Sequence, residues 1–365
     1  MKNIAKTITI ILSILLVAGM AFSLPSFSTK EGVDCASCHT GYPRLNANGL
    51  SYLANGYSFD KEQMESGPGL AVSGAIESWF VSKDEGRSTD FQLHKFELLA
   101  GGKLSKNAGY FVEAYFEERG EFHNMGDVFI YLNPSDNLRV CAGQFQPDLL
   151  MPDSERLTTR RTLLYDTKVN GWRLRNRQRG VAVTYGKGQF SGTAAILNGN
   201  GSGAEEDHEA DNNDKKDISL ALSHNISDGF SLGGYLYAGT IPNGDGSEDE
   251  IGRAVVSLRK YMMDERFELN AVVGMGSNDN PNGDRIEQNS MGFFVEGVYA
   301  YKPDVLLLAR YDYFDSDTDI DENERWAVVP SVLYYLGENI RLSGEYIFYK
   351  DSDGDEFRAV ISAVF

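Results

Sequence analysis

From residue 70 to the C-terminus the chain alternates apolar and polar positions with a period of two. Over 110–117, Tyr110, Val112, Ala114 and Phe116 share one face, opposite Phe111, Glu113, Tyr115 and Glu117. Over 305–313, Val305, Leu307, Ala309, Tyr311 and Tyr313 oppose Leu306, Leu308, Arg310 and Asp312. Over 340–349, Ile340, Leu342, Gly344, Tyr346 and Phe348 oppose Arg341, Ser343, Glu345, Ile347 and Tyr349. Successive side chains of a strand point to opposite sides, so each segment reads as a two-faced strand. Apolar faces about ten residues long, ending in Tyr, Phe or Trp, fit strands that cross lipid better than those of a soluble sandwich.

The expected strands are 70–82, 91–106, 108–119, 127–132, 138–146, 180–187, 190–199, 217–225, 230–240, 251–261, 266–276, 289–301, 304–314, 325–336, 339–350 and 355–365, sixteen in all. An even number suits a single-chain outer-membrane barrel. Short turns near 105–107, 134–137, 186–189, 227–229, 263–265, 302–304 and 337–339 alternate with longer polar connections, as periplasmic turns alternate with extracellular loops. The expected fold is therefore all-β, a transmembrane antiparallel barrel of sixteen strands over 70–365 with both ends periplasmic. Its first and last strands must pair, because an open edge in lipid leaves backbone groups without partners.

Upstream the pattern changes. Lys2 and Lys6 precede an apolar run from Ile8 to Phe22, with Gly19, Ala21 and Ser23 as small residues for cleavage, so 1–23 reads as a signal peptide. Residues 24–69 form a separate small segment. Within it, 43–55 is expected to be one short helix opened by Pro43 and closed by Gly56, with Leu45, Leu50 and Leu53 on offer to cover a flat apolar group. Gly67, Pro68 and Gly69 suggest a linker.

Charge sharpens the picture. A net charge of -19 argues against nucleic acid as a partner, and three Cys leave no disulfide framework. The acids gather in long connections: 201–217 holds seven acids and two Lys, and 315–324 holds six acids and no base. Such loops are solvated surface or a reservoir of oxygen ligands for hard cations such as Fe²⁺ or Ca²⁺, although none has full EF-hand spacing. The connection 146–179 is the exception, with Arg156, Arg160, Arg161, Lys168, Arg173, Arg175, Arg177 and Arg179 against Asp148, Asp153, Glu155 and Asp166. As the third long loop of a wide barrel it can fold inward as a constriction, attract small anions, and pair with lumen acids such as Glu113 and Glu117.

The chemistry-bearing stretch is Cys35-Ala36-Ser37-Cys38-His39. Two thiols at this spacing followed at once by an imidazole suit covalent attachment of one haem c, with thioethers to Cys35 and Cys38 and His39 as the proximal iron ligand. A closed zinc site needs four ligands, and Cys141 is the one Cys left to contribute. A thioredoxin-like pair wants a βαβ setting that is missing here. For the distal iron position Met64 is nearest in sequence, with His94 and Met125 as further candidates.

Pro25, Phe27 and Gly32 before the motif, Pro43, Leu45, Gly49, Gly56 and Tyr57 after it, and the barrel beyond resemble the fused outer-membrane cytochrome-porins of the Cyc-two iron-oxidase family. The resemblance spans essentially the mature chain; Ser28-Thr29-Lys30-Glu31 stands where the family has Ala-Arg-Gln-Thr. The terminal Phe365 resembles the assembly signal of outer-membrane proteins. The resemblance implies a protein of a Gram-negative outer membrane, in contact with its lipid. It would pass electrons between extracellular Fe(II), or another redox partner, and a periplasmic cytochrome or other carrier. The haem segment would plug or line the barrel, entering from the periplasmic side and held partly by the arginine-rich loop. The residues leave a second reading open, an anion-selective porin whose tethered haem is structural or regulatory.

Overall fold

The computed structural model describes residues 33–34, 37–41, 43–46, 48–49, 52, 71–84, 88–118, 125–149, 156–199, 214–227, 229–281, 283, 286–350 and 354–365. The expected signal peptide, the linker, Cys35 and Met64 lie outside them. Two short strands, β1 (His39–Gly41) and β2 (Arg44–Leu45), precede the barrel. The barrel strands are β3 (Ala71–Lys83), β4 (Ser88–Ser105), β5 (Ala108–Glu118), β6 (Met125–Ser135), β7 (Leu138–Phe145), β8 (Gln178–Lys187), β9 (Phe190–Leu197) and β10 (Asp217–Ser227). They continue as β11 (Phe230–Pro242), β12 (Glu248–Met262), β13 (Phe267–Asn278), β14 (Gln288–Lys302), β15 (Val305–Asp315), β16 (Arg325–Leu336), β17 (Ile340–Tyr349) and β18 (Glu356–Val364). Each strand pairs antiparallel with its sequence neighbours, and β18 pairs with β3 to close the cylinder, from Glu356↔Lys83 to Val364↔Ala75. All sixteen expected strands are present, their ends displaced by at most three residues.

Alternation explains why these segments form a wall. In β15, Leu306, Leu308, Arg310 and Asp312 are buried toward the lumen, whereas Leu307 and Tyr311 are exposed on the outer face. Ile196, Leu236, Val256, Met275, Val332 and Ile361 continue that exposed apolar exterior around the cylinder. A closed ladder satisfies its own backbone groups and presents hydrocarbon outward, as a strand-built membrane protein requires. The molecule is a β-barrel of the outer-membrane type. At the seam, Phe365 and Gly74 exchange backbone hydrogen bonds of 2.6 and 2.9 Å. The Phe365 ring lies so close over Gly74 that a Cβ there would come within 2.5 Å of it.

The third long loop, between β7 and β8, folds into the lumen as its composition suggested. A one-turn helix, α1 (Leu163–Asp166), buries Leu163, Leu164 and Tyr165. Together with Val169, Trp172 and Leu174 they pack on Ala182, Ala195, Ala221, Tyr237, Val255 and Phe294 of the wall. Small wall residues make the room: a Cβ at Gly274 would reach within 2.9 Å of Leu164. Burying such side chains contributes about 1.5–3 kcal/mol each. The polar edge of the loop reaches across to the far wall. Thr159 donates its backbone N–H to Glu345 at 2.8 Å, and Arg358 donates to the Thr159 hydroxyl at 2.8 Å.

One expectation needs correction. Residues 43–55 are not a single helix opened by Pro43, because Arg44 and Leu45 form β2, the return arm of a hairpin with β1. Helical backbone appears only at Asn48, Gly49 and Tyr52 among the described residues of this stretch. The carbonyl of Cys38 already takes the Asn46 N–H at 2.9 Å, which fixes an extended return before any helix can begin.

Candidate functional site

The haem-motif turn is held by its own polar groups. Asp34 accepts from the Ser37 N–H at 3.0 Å and from its hydroxyl at 2.7 Å, closing the turn that presents Cys38 and His39. β1 then pairs with β2 through His39↔Leu45 and Gly41↔Arg44. Asn46 ties the two sides together. Its side-chain amide donates to the Ser37 carbonyl at 3.3 Å, and its side-chain oxygen accepts from the Gly49 N–H at 3.0 Å in the manner of a helix N-cap. Gly49 lies against this turn, where any Cβ would collide with the Cys38 carbonyl oxygen.

The backbone holds His39 in the manner of a metal-binding imidazole. Nδ1 of His39 lies 3.2 Å from the Pro43 carbonyl oxygen. A carbonyl can only accept, so Nδ1 carries the proton in this contact, the usual support of a metal-binding imidazole. Burial pushes the His39 pKa below its ordinary value against the opposing pull of the Pro43 and Arg44 backbone, which favours the neutral, metal-ligating form. Of the distal candidates, His94 is buried on β4 and stacks on Trp79 at 3.4 Å, and Arg358 covers the Trp79 ring at 4.9 Å. Met125 sits exposed at the outer end of β6, and Met64 lies outside the described residues.

The residue that locates this segment is one the sequence did not single out. Arg44, fully buried, places Nη2 2.6 Å from Glu296 and Nη1 3.4 Å from Glu268, on the lumen faces of β14 and β13 respectively. On another side of the barrel, Tyr52 is buried against Tyr131, with Phe111 and Phe129 packed beside it. The hairpin therefore stands inside the lumen. Only the placement of Glu268 and Glu296 at inward positions of otherwise apolar strands hinted that a cation would come to meet them.

Glu296 also connects this segment to the constriction loop. Its neighbour across the β14–β15 ladder is Arg310, 3.8 Å away. Arg310 donates to Asp312 at 2.8 Å, to the Thr158 hydroxyl at 2.7 Å and to the Arg160 carbonyl at 2.7 Å. The loop's hold on the haem segment thus runs through the wall. At the far end of the loop Arg177 pairs with Glu113 at 2.6 Å and Asp127 at 2.8 Å, as expected for the lumen acid Glu113; the Glu117 side chain lies outside the described residues. In α1, burial works against ionising Asp166, but Arg175, Arg161 and Arg173 more than offset it and hold the carboxyl below its usual range.

The acidic outer loops are less structured as a site. Residues 201–213 lie outside the described residues. In 315–324 the acids cap their own turns: Asp315 accepts from the Asp317 N–H at 3.1 Å and Asp317 from the Asp319 N–H at 3.2 Å. Among the described residues no three His, Cys, Asp or Glu side chains converge as a metal site.

No protein-family model and no curated protein sequence matches the chain. Solved structures do. The outer-membrane channel DcaP of Acinetobacter baumannii superposes with a TM-score of 0.63 at 11% identity, over 82% of this chain and 98% of that one. The anion-selective porin from Comamonas acidovorans gives 0.62 at 11% identity, over 82% and 100%. Salmonella typhi OmpF, solved in complex with daunomycin, gives 0.61 at 13% identity, over 82% and 98%. Identities this low establish a shared fold: the chain has the architecture of an outer-membrane porin.

Proposed function

We propose that this porin-type barrel is an outer-membrane electron conduit, carrying one covalent haem c inside its lumen and passing single electrons between an extracellular donor such as Fe(II) and a periplasmic carrier. The observation that carries the reading is Arg44, buried between Glu268 and Glu296 on the lumen wall only five residues beyond His39. Cys35 and Cys38 would hold the group covalently and His39 would ligate its iron, which supplies a one-electron redox centre when bound. The protein's own part is positional. Pro43 orients the imidazole, Asn46 and Gly49 shape the turn beneath it, and Arg44 and Tyr52 seat the hairpin between opposite stretches of wall. The membrane wall is about 25 Å tall, so a redox centre confined to the periplasm leaves the whole span uncrossed, whereas one in the lumen shortens it. Acidic outer loops such as 315–324 raise the local concentration of a cationic donor, an advantage that salt screens.

Vesicles enclosing an electron acceptor and carrying the protein should report internal reduction when Fe²⁺ is added outside. The Cys35→Ser/Cys38→Ser double variant should abolish it. Equal reduction by both proteins would overturn the proposal.

A second reading, an anion-selective pore, rests on the basic constriction loop and on the channels the fold resembles, and the resemblance by itself favours transport over electron transfer. What supports the conduit is the hairpin seated in the lumen by Arg44 and Tyr52. Free passage of phosphate-sized anions through a protein whose haem stays inert to external Fe²⁺ would replace the first reading by the second.

A further inference from the structure

We infer that Arg44 is a latch: its ion pair with Glu296 holds the β1–β2 hairpin against the lumen wall and keeps closed a pore that the barrel would otherwise provide. The inference goes beyond the electron-transfer reading and does not depend on the haem. Three facts combine. The side chain of Arg44 is 0% exposed and those of its partners Glu268 and Glu296 are 2% and 1% exposed, so the three charged groups are shielded from water where they meet. The pairing is lopsided. Glu268 has a second cation in Arg259 at 3.5 Å and accepts from Asn270 at 2.9 Å, whereas among the described residues Glu296 has otherwise only the long 3.8 Å contact to Arg310. Glu296 is thus the carboxylate whose burial depends on Arg44. Third, Arg310 passes the connection to Thr158 and Arg160 of the constriction loop, so segment and loop share one node.

The physics makes this a two-state device. Removing one member of a buried pair strands the other, which is strongly unfavourable while the site stays dry. A barrel lumen offers an exit that a protein core lacks: the segment withdraws, water enters, and Glu296 becomes hydrated. A buried pair gains little over its hydrated components, so the closed state is stable without being permanent.

Single-channel recording in planar bilayers tests this directly. Wild-type protein should be closed for most of the record. Arg44→Ala and Glu296→Gln should raise the open fraction at least about tenfold, with the same step conductance in both because the bore is the same. Arg44→Lys, which keeps the charge but loses the two-pronged geometry, should fall between. Heat-modifiable migration on gels confirms that each variant is a folded barrel. The same set in the Cys35→Ser/Cys38→Ser background separates latch from haem: closure should persist without haem and still yield to Arg44→Ala. Steady wild-type conduction, an Arg44→Ala record like the wild type, or opening caused by haem loss alone would each overturn the inference. The vesicle experiment is kept distinct by its Cys35→Ser/Cys38→Ser control, which reports any reduction caused by Fe²⁺ entering through an open pore.

Discussion

Replacing Arg310 by Met tests how the constriction loop is held. The guanidinium is 1% exposed and serves Asp312, Thr158 and the Arg160 carbonyl at 2.7–2.8 Å. Met keeps much of the volume and removes every one of these bonds, leaving Asp312 and part of Glu296 without their cation. Breaking a buried pair from one side costs about 3–5 kcal/mol, and because the individual bonds belong to the same network they are not added to it. The damage should stay local. Residues 156–162 lean on Arg310, whereas α1 and its successors are held by apolar packing of Leu163, Leu164, Tyr165 and Trp172. Hydrogen exchange in detergent should therefore show protection of 156–162 falling by about two to nearly four orders of magnitude, with 163–175 and the strands little changed. Arg310→Lys should fall between, since an ammonium cannot reproduce the fork. Unchanged exchange over 156–162, or an equal loss through α1 and the barrel, would refute the reasoning.

Other outcomes follow from single contacts. Gly49→Ala forces a methyl into the Cys38 carbonyl, so covalent haem per folded barrel should drop while gel migration of the barrel is unchanged. Asp166 has a carboxyl held below its ordinary value of 3.8, so its ion pairs are complete above that value and are lost as pH falls through the lower, folded-state value. Exchange protection of 163–177 should be flat from about pH 8 to pH 5 and decline below about pH 4, and Asp166→Asn should remove that dependence. Phe365→Ala leaves the backbone pairing with Gly74 but strips the ring from the seam, so the assembled fraction should fall at equal expression, read as heat-modifiable barrel.

The barrel was legible because its signal is repeated and local. Each strand announces itself by inward residues such as Leu306, Arg310 and Asp312 against outward ones such as Leu307 and Tyr311, and sixteen repetitions leave little freedom in the register. The inward fold of the constriction loop was legible from its charge, which is misplaced among acidic neighbours. The haem hairpin was not. Pro43 and the leucines after it suggested a helix, but the decisive interaction is the local Asn46-to-Cys38 bond, which a residue-by-residue propensity cannot see. Arg44 was hidden for a different reason. Its partners Glu268 and Glu296 stand 224 and 252 residues away, and nothing in the local sequence marks an arginine as the one that crosses a lumen.

The conduit and the open pore place opposite demands on water. An anion pathway needs its lumen charges hydrated, because ions exchange their own shell for one the wall supplies. Glu296, Arg310, Asp312 and Glu345 face the lumen and yet are at most 2% exposed, each matched to a partner on the wall, the hairpin or the constriction loop. Desolvating so many charges costs free energy that ordinary packing would not. Matched charges do, however, admit one arrangement of plug, wall and loop and penalise the others, since a shift of the hairpin by one residue would leave Glu296 facing Leu45 in place of Arg44. On the conduit reading proposed above, a redox group held at a fixed depth between two aqueous faces would use that registration; on the pore reading, the same matched pairs would serve to keep the channel closed.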